Sequence, residues 1–202
     1  MDLSVDDMPV RGEHPAVDLV NTVFIRGGLR GRLVDVLRTP ADLAAWVDGQ
    51  PLGGRSPGDG TGAFPAADDA RGRAALAGFL DLREILRRLF AAATADEDAE
   101  PADVAALNAL VRTSTDWVEL PPAGRGPGLP RTDAADPPTA VRARVARAAV
   151  DLLTAPGPSP LRACPAPGCV LFYLRTHPRR EWCSPGCGTR VRVARHSQRR
   201  DA

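Results

Sequence analysis

The sequence predicts a mainly α (α+β) fold, in which a helical N-terminal domain with a short β-hairpin precedes a small module with a β-hairpin and a basic helix. Three observations support this prediction. Apolar residues recur at helical spacing in most segments of residues 1–154. One pair of short strand-like runs, joined by a Pro/Gly loop, lies within 115–133. All cysteines fall between Cys164 and Cys187.

Length and composition set the expected domain organisation. A chain of 202 residues that is 44% hydrophobic can bury a sizeable core and carry a small second module. We predict a helical domain over 1–154, a short stiff linker over 155–160 (APGPSP) and the small module over 161–202. The N-terminus has no signal-peptide pattern, and no apolar run reaches about 18 residues. We therefore expect a cytoplasmic protein that does not contact membranes.

The first two helices are predicted from apolar spacing and capping. The segment from His14 to Phe24 fits a helical stripe better than strict alternation. Thr39 and Pro40 provide the N-cap and the N1 proline of a second helix. Its buried face is Leu43, Trp46 and Val47. Residues 49–64 are rich in glycine and proline and are expected to form a flexible surface loop.

The rest of the body continues this helical pattern. Residues 68–94 form the clearest predicted helix, with a wide apolar face. That face consists of Leu76, Phe79, Leu80, Leu82, Arg83, Ile85, Leu86, Leu89 and Phe90. Pro101 opens a shorter helix over 103–112, and 115–133 is predicted to be an edge-type hairpin. Pro138 opens the last body helix, which extends through Leu153. Its inward residues are Val141, Val145, Ala148, Ala149, Leu152 and Leu153.

The cysteine spacing, C-x4-C-x13-C-x3-C, suits a tetrahedral Zn²⁺ ion. Each close pair can form a knuckle, and the longer loop lets the two knuckles face each other. Four thiolates, from Cys164, Cys169, Cys183 and Cys187, leave no ligand position open, so the predicted zinc is structural. Two disulfides, four unrelated buried thiols and an iron–sulfur cluster are the alternatives. His177, in the loop between the pairs, is a competing ligand.

The residues between the cysteine pairs predict a finger-like hairpin. Leu171–Tyr173 is expected to form one strand, Thr176–Pro178 a turn, and Arg179–Trp182 the returning strand. Trp182 is predicted to pack in the small core of this module. Because so little apolar area is available there, metal binding must supply much of the folding free energy.

Charge is distributed unevenly along the chain. Residues 160–202 contain nine arginines and two acids, a formal charge of +7, whereas residues 1–159 carry −6. A helix beginning at Cys187 is expected to present its basic residues over 188–200. These are Arg190, Arg192, Arg195, Arg199 and Arg200. Such a helix on a zinc knuckle is a common way to enter a DNA groove. The alternative is a solvated arginine-rich tail, and the complete absence of lysine weakens any argument from the choice of arginine.

These residues resemble the CGNR zinc finger. This sequence matches the pattern of that finger: two cysteines, a Leu-Phe-Tyr strand, an arginine-rich turn, Trp-Cys-Ser and Cys-Gly-Asn-Arg. There are two departures. Thr189 replaces the usual asparagine, and Leu174 replaces an aspartate often found after the strand. The segments HPAVDLVNTV (14–23) and LRTPADLAAW (37–46) resemble the ABATE domain, which commonly precedes that finger. The resemblance implies a bacterial, stress-linked transcriptional regulator.

Polar residues in the ABATE-like opening are candidates for a ligand pocket. His14 and Asp18, and Asp18 and Asn21, share helical faces, and Arg26 follows them. They would line the site of a small-molecule effector; the alternative is capping and surface hydrogen bonding. None of the nucleophile, metalloprotease, phosphate-loop or dinucleotide motifs occurs in the sequence, so we expect no enzyme.

Two classes of function follow from the sequence. The first is a zinc-dependent DNA-binding regulator, whose body binds an effector or forms a homodimer, with Arg192, Arg195 and Arg199 as the expected DNA contacts. The second is a protein-interaction module in which zinc is purely structural and the basic helix binds an acidic partner. RNA binding, with Phe172 and Tyr173 stacking on bases, is a third alternative.

Overall fold

A computed structural model describes residues 3–28, 31–52 and 63–200, with the backbone alone for 195–200. A short 3-10 turn, Val5–Asp7, precedes six α-helices and six β-strands in these ranges. In chain order they are α1 (Pro15–Val20), β1 (Val23–Arg26), β2 (Arg32–Asp35), α2 (Pro40–Asp48), α3 (Ala70–Ala95), α4 (Pro101–Val111), β3 (Asp116–Glu119), β4 (Leu129–Thr132), α5 (Pro137–Thr154), β5 (Leu161–Ala163), β6 (Phe172–Leu174) and α6 (Pro185–Arg200). The mainly α fold predicted from the sequence is confirmed.

The strands form three separate antiparallel hairpins in the described part of the chain: β1 with β2, β3 with β4, and β5 with β6. The β3–β4 hairpin is the one predicted over 115–133, with Asp116 opposite Thr132 and Glu119 opposite Leu129. Most of the predicted loop over 49–64 lies outside the described residues.

Local capping chemistry explains why the body helices begin where they do. Thr39 and Asp42 form a capping box at α2, with Pro40 in the first turn. Asp69 accepts a hydrogen bond from the backbone N–H of Gly72 at the start of α3. Gly72 is needed there, because a Cβ atom at that position would lie 2.0 Å from the Ala67 carbonyl oxygen.

The predicted helix over His14–Phe24 is wrong in its second half. The helix ends at Val20, and residues from Val23 onward pair with β2. Thr22 helps to end the helix, because its hydroxyl donates to the Leu19 carbonyl at 2.7 Å and its own carbonyl accepts from the N–H of Val36. Both halves of the segment are buried, so apolar spacing alone did not reveal the change from helix to strand.

A single hydrophobic core joins the body to the C-terminal module. Phe79, Leu82 and Leu86 of α3 are fully buried at its centre. From the module, Leu161 and Phe172 belong to the same core, and the Phe172 ring packs edge-to-face on Phe90 of α3 with ring centroids 5.7 Å apart. Residues 155–160 between them form no helix or strand. The domain boundaries at 154 and 161 stay predictions.

Candidate metal centre and basic helix

The four cysteine sulfurs lie together as a tetrahedral metal site requires. All four Sγ atoms lie within 4.8 Å of one another. The Sγ of Cys183 is 3.4 Å from that of Cys187 and 3.8 Å from that of Cys169, and the Cys169 and Cys187 sulfurs are 3.7 Å apart. Zn–S bonds of about 2.3 Å in a tetrahedron give S–S edges of about 3.8 Å. The spacing therefore fits Zn²⁺, and the cysteines are free thiols, not disulfides.

Two different local structures supply the ligand pairs. Cys164 follows β5, and its N–H donates to the Leu171 carbonyl at 2.9 Å. A tight turn then brings Cys169 back, with its N–H donating to Ala166 at 2.9 Å and Gly168 in the left-handed region at a φ of 69°. On the other side, Cys187 lies in the first turn of α6, four residues after Cys183.

The electrostatics of this cluster favour a bound cation. Hydrogen bonds from the Cys169 and Cys183 side chains, aided by backbone N–H groups of Cys183 and Ala166, lower the pKa of the Cys164 thiol to about 2. The hydrogen bond between the Cys169 and Cys164 side chains raises the pKa of Cys169 to about 12. A hydrogen bond between the Cys183 and Cys164 side chains raises the pKa of Cys183 in the same way. Closely packed thiolates repel one another, so all four ionise together only around a positive ion. A bound Zn²⁺ would be held by all four sulfurs.

His177 is not part of the ligand set. Its side chain is exposed, and its Nδ1 accepts a hydrogen bond from the N–H of Arg179 at 3.1 Å. Among the described residues, the cysteines alone form a cluster of potential metal ligands.

The predicted returning strand over Arg179–Trp182 is wrong. The partner of β6 is β5, with Ala163 opposite Phe172 and Leu161 opposite Leu174. The Arg180 guanidinium donates to the carbonyls of Leu174 and Cys183 at 3.2 and 3.0 Å, and so it supplies hydrogen bonds that a strand would otherwise make.

The free edge of β6 is covered by the body. The Asn21 side chain donates to the Phe172 carbonyl at 2.8 Å and accepts from the Phe172 N–H at 3.0 Å, as a neighbouring strand would do. Glu13 accepts from the N–H of Leu174 at 2.9 Å and also forms an ion pair with Arg180. These contacts were not predicted; the one signal in the sequence was an asparagine within an apolar segment, and the structure buries it fully.

The four predicted pocket residues have different surroundings. The side chain of Asn21 is hydrogen-bonded to β6. Asp18 is buried, and its carboxylate accepts a hydrogen bond from the N–H of Gly12 at 2.7 Å. Burial raises the pKa of Asp18 and lowers the pKa of His14. Arg26 is exposed at the end of β1, directly opposite Arg32. An effector site formed by these residues stays a prediction.

Three contacts fix the direction of α6. Ser184 caps its start, with its hydroxyl oxygen accepting from the N–H of Cys187 at 3.4 Å, so the helix begins at Pro185 and not at Cys187 as predicted. Gly188 packs against Trp182: a Cβ atom there would lie 2.9 Å from the indole Cδ1. Arg190 donates to the Pro167 carbonyl of the first knuckle at 3.1 Å.

The basic residues of the finger are largely unneutralised. Among its described side chains, Arg180 is the one arginine that pairs with an acid. Arg192 is exposed and donates to the Thr189 hydroxyl at 3.0 Å. Thr189, which stands where the CGNR pattern has asparagine, donates in turn to the Pro185 carbonyl at 3.2 Å. The side chains of Arg195, Arg199 and Arg200 lie outside the described part of the structure.

Comparison with known families agrees with this site. The ABATE family, described as "Putative stress-induced transcription regulator", matches residues 13–156, more than half of the chain. The chain belongs to the ABATE family. In this member the CGNR zinc finger family matches residues 161–200, which contain all four cysteines. The centre is therefore a structural zinc site, as predicted.

The search of curated proteins and the lengths of the helices add two findings on this ABATE protein. No curated protein matches its sequence significantly. Among the described helices, none is both long and apolar enough to cross a membrane.

Proposed function

We propose that the protein is a zinc-dependent DNA-binding transcriptional regulator, in which the zinc centre directs α6 toward duplex DNA. The observation that carries this proposal is the fixed direction of an arginine-bearing helix: Cys187, Gly188 and Arg190 each fasten its first turns to the finger. A helix held in this way can enter a groove without losing further conformational freedom.

The attachment of the finger to the body supports the same function. Asn21 and Glu13 fasten β6 to the N-terminal part of the body, and Phe172 is buried against Phe90. A change in the body, through an effector or through dimerisation, would therefore alter how α6 is presented. The proposal places the protein in the cytoplasm, where the DNA of a bacterium lies, and it assigns no catalytic step to the chain.

Phosphate contact by arginine is the testable core of the proposal. Each Lys or Arg that neutralises a phosphate adds about 1 to the slope of log K against log salt. Arg192→Ala, Arg195→Ala and Arg199→Ala should each weaken binding and reduce this slope by about 1. Arg125→Ala is the matched control, because Arg125 is an exposed arginine of the β3–β4 loop in the body.

The measurement is fluorescence anisotropy of the zinc-loaded protein with duplexes from its own upstream region and with scrambled competitors, at several salt concentrations. Preference for its own DNA that persists near physiological salt supports a regulator. If all three α6 variants keep the wild-type slope, α6 does not contact phosphate and the proposal fails.

A second candidate function is binding to an acidic protein. Val193 is 60% exposed on α6, next to Arg192, and such an apolar side chain suits a protein surface better than a phosphate backbone. Copurification with an acidic protein, without affinity for duplexes, would favour it. RNA binding through base stacking is less well supported, because Phe172 and Tyr173 are buried at 7% and 3% exposure, and the Arg180 guanidinium lies 5.1 Å from the Tyr173 ring.

A further inference from the structure

An apolar groove lies at the end of the helical body where α3 and α5 finish. It has a volume of about 330 Å³, within the range of small-ligand sites. Its walls come from three helices and the α3–α4 connection. The apolar lining consists of Leu89, Ala93, Ala99, Val104, Leu107, Val150 and Leu153. Val104 is 41% exposed there, so part of this surface stays in contact with water.

The one charged residue that lines the groove is acidic. Although the protein contains 26 arginines, none is among the residues that line the groove, whereas Glu97 is. Asp96, Asp98 and Glu100 belong to the same short connection between α3 and α4. No ion-pair partner for any of these four acids exists among the described residues.

Two helix ends add to this negative potential. Helices α3 and α5 both end at the groove. Ala93, near the end of α3, and Thr154, at the end of α5, are among its lining residues. Neither helix has a basic residue in its last turn, so the partial negative charge of each C-terminus is not compensated. An anionic ligand would meet repulsion from the helix ends and from Glu97 together.

We infer that this groove binds a small lipophilic cation: a protonated amine or quaternary ammonium compound with an apolar body of one or two rings. The apolar body would contact Leu89, Leu107 and Leu153, and the cationic group would lie at the rim beside Glu97. Asn108 also lines the groove, and its side chain, which forms no hydrogen bond to another described residue, offers an amide oxygen to an ammonium N–H. This site differs from the predicted effector residues around His14.

Two matched probes test the inference: 1-naphthylmethylammonium and 1-naphthylacetate, which share a ring system and differ in the sign of their charge. Calorimetric titration of the full-length, zinc-loaded protein should give saturable one-to-one binding of the cation. The anion should bind at least about tenfold more weakly, since it meets Glu97 and two uncompensated helix ends.

Variants locate the site. Glu97→Gln should lower cation affinity about three- to fivefold, and Asp81→Asn, which removes an exposed carboxylate of α3 outside the groove lining, should not. Ala93→Phe fills the groove and should abolish binding of the cation, while zinc content and helical circular dichroism report that the variant folds.

Several results would overturn the inference. These are no saturable binding of the cation, equal affinity for both probes, or cation binding that is unchanged in both Glu97→Gln and Ala93→Phe. Because the readout is ligand binding without DNA, the outcome is independent of whether α6 binds duplexes, and either proposal can fail alone.

Discussion

Asn21 connects the ABATE body to the zinc finger, and its replacement by alanine tests that connection directly. Asn21 is fully buried, and its amide forms both hydrogen bonds to the backbone of Phe172, at 2.8 and 3.0 Å. Asn21→Ala leaves one buried N–H and one buried carbonyl without partners. Each such group costs about 1–3 kcal/mol, and water can partly enter the space left by the amide. We expect the free energy of unfolding to fall by about 3 kcal/mol.

Urea unfolding, followed by tryptophan fluorescence and by zinc release to a coloured chelator, measures this effect. Fluorescence is recorded in a Trp182→Phe background, so Trp46 and Trp117 report on the body while zinc release reports on the finger. Because the two parts share one core, we expect both transitions to shift together to lower urea. Asn108→Ala, at an exposed position, serves as the control and should change stability by less than about 0.5 kcal/mol.

If Asn21→Ala unfolds with the same free energy as the control, the two hydrogen bonds of Asn21 do not stabilise the protein. A fluorescence transition that stays in place while zinc release moves would contradict the shared core, since the finger would then unfold independently of the body.

Three more predictions concern the finger, the acid stability of the body and the metal. Gly188→Ala should lower stability by about 1 kcal/mol, because overpacking against Trp182 exceeds the gain in helix propensity. Gly186→Ala, where a Cβ atom meets only Ser184 at 3.7 Å, is its control; equal effects in urea unfolding would contradict the packing argument. The hydrogen bond from Arg88 lowers the pKa of Asp103 in the folded protein. The ionised Asp103 therefore stabilises the fold fully above the ordinary carboxyl pKa of about 4, and this stabilisation is lost as pH falls through the lowered pKa. The stability difference between wild type and Asp103→Asn, measured from pH 7 to pH 2, should shrink in acid; a constant difference would show that this ion pair does not titrate. Chelation of zinc should reduce helical circular dichroism and abolish duplex binding, and full retention of both would exclude a metal-dependent α6.

Local chemistry made much of the body predictable. Thr39 and Pro40 mark the start of α2 with side chains that act within one turn, so the capping box is visible without knowledge of the fold. The long helix α3 was predicted over 68–94 and extends over Ala70–Ala95, because its apolar face repeats through many turns.

The β1–β2 hairpin was missed, and the hairpin of the finger was predicted with the wrong partner strand, because strand pairing depends on residues outside the paired segment. Val23 and Phe24 are apolar and buried in either a helix or a strand, and it is their pairing with Asp35 and Val34 that selects the strand. In the finger, β6 pairs with residues that precede Cys164 and not with those after the turn. The side chains of Asn21, Glu13 and Arg180 bond the backbone groups on the other edge of β6 that a returning strand would need. The spacing of apolar residues predicts neither the strand at Val23 nor the partner of β6.

The sequence by itself predicted the metal centre: four thiols in two close pairs, in a module too small to fold on apolar burial alone, indicated the ligands and favoured Zn²⁺ over the alternatives. It also determined the helical class of the body, because helix periodicity and caps are local. Tertiary structure alone decided how the finger is held, through Asn21 and Glu13, and where an apolar groove remains open between α3, α4 and α5. The physical reason is that buried hydrogen bonds and cavities arise between residues far apart in the chain, where the spacing of neighbours carries no information.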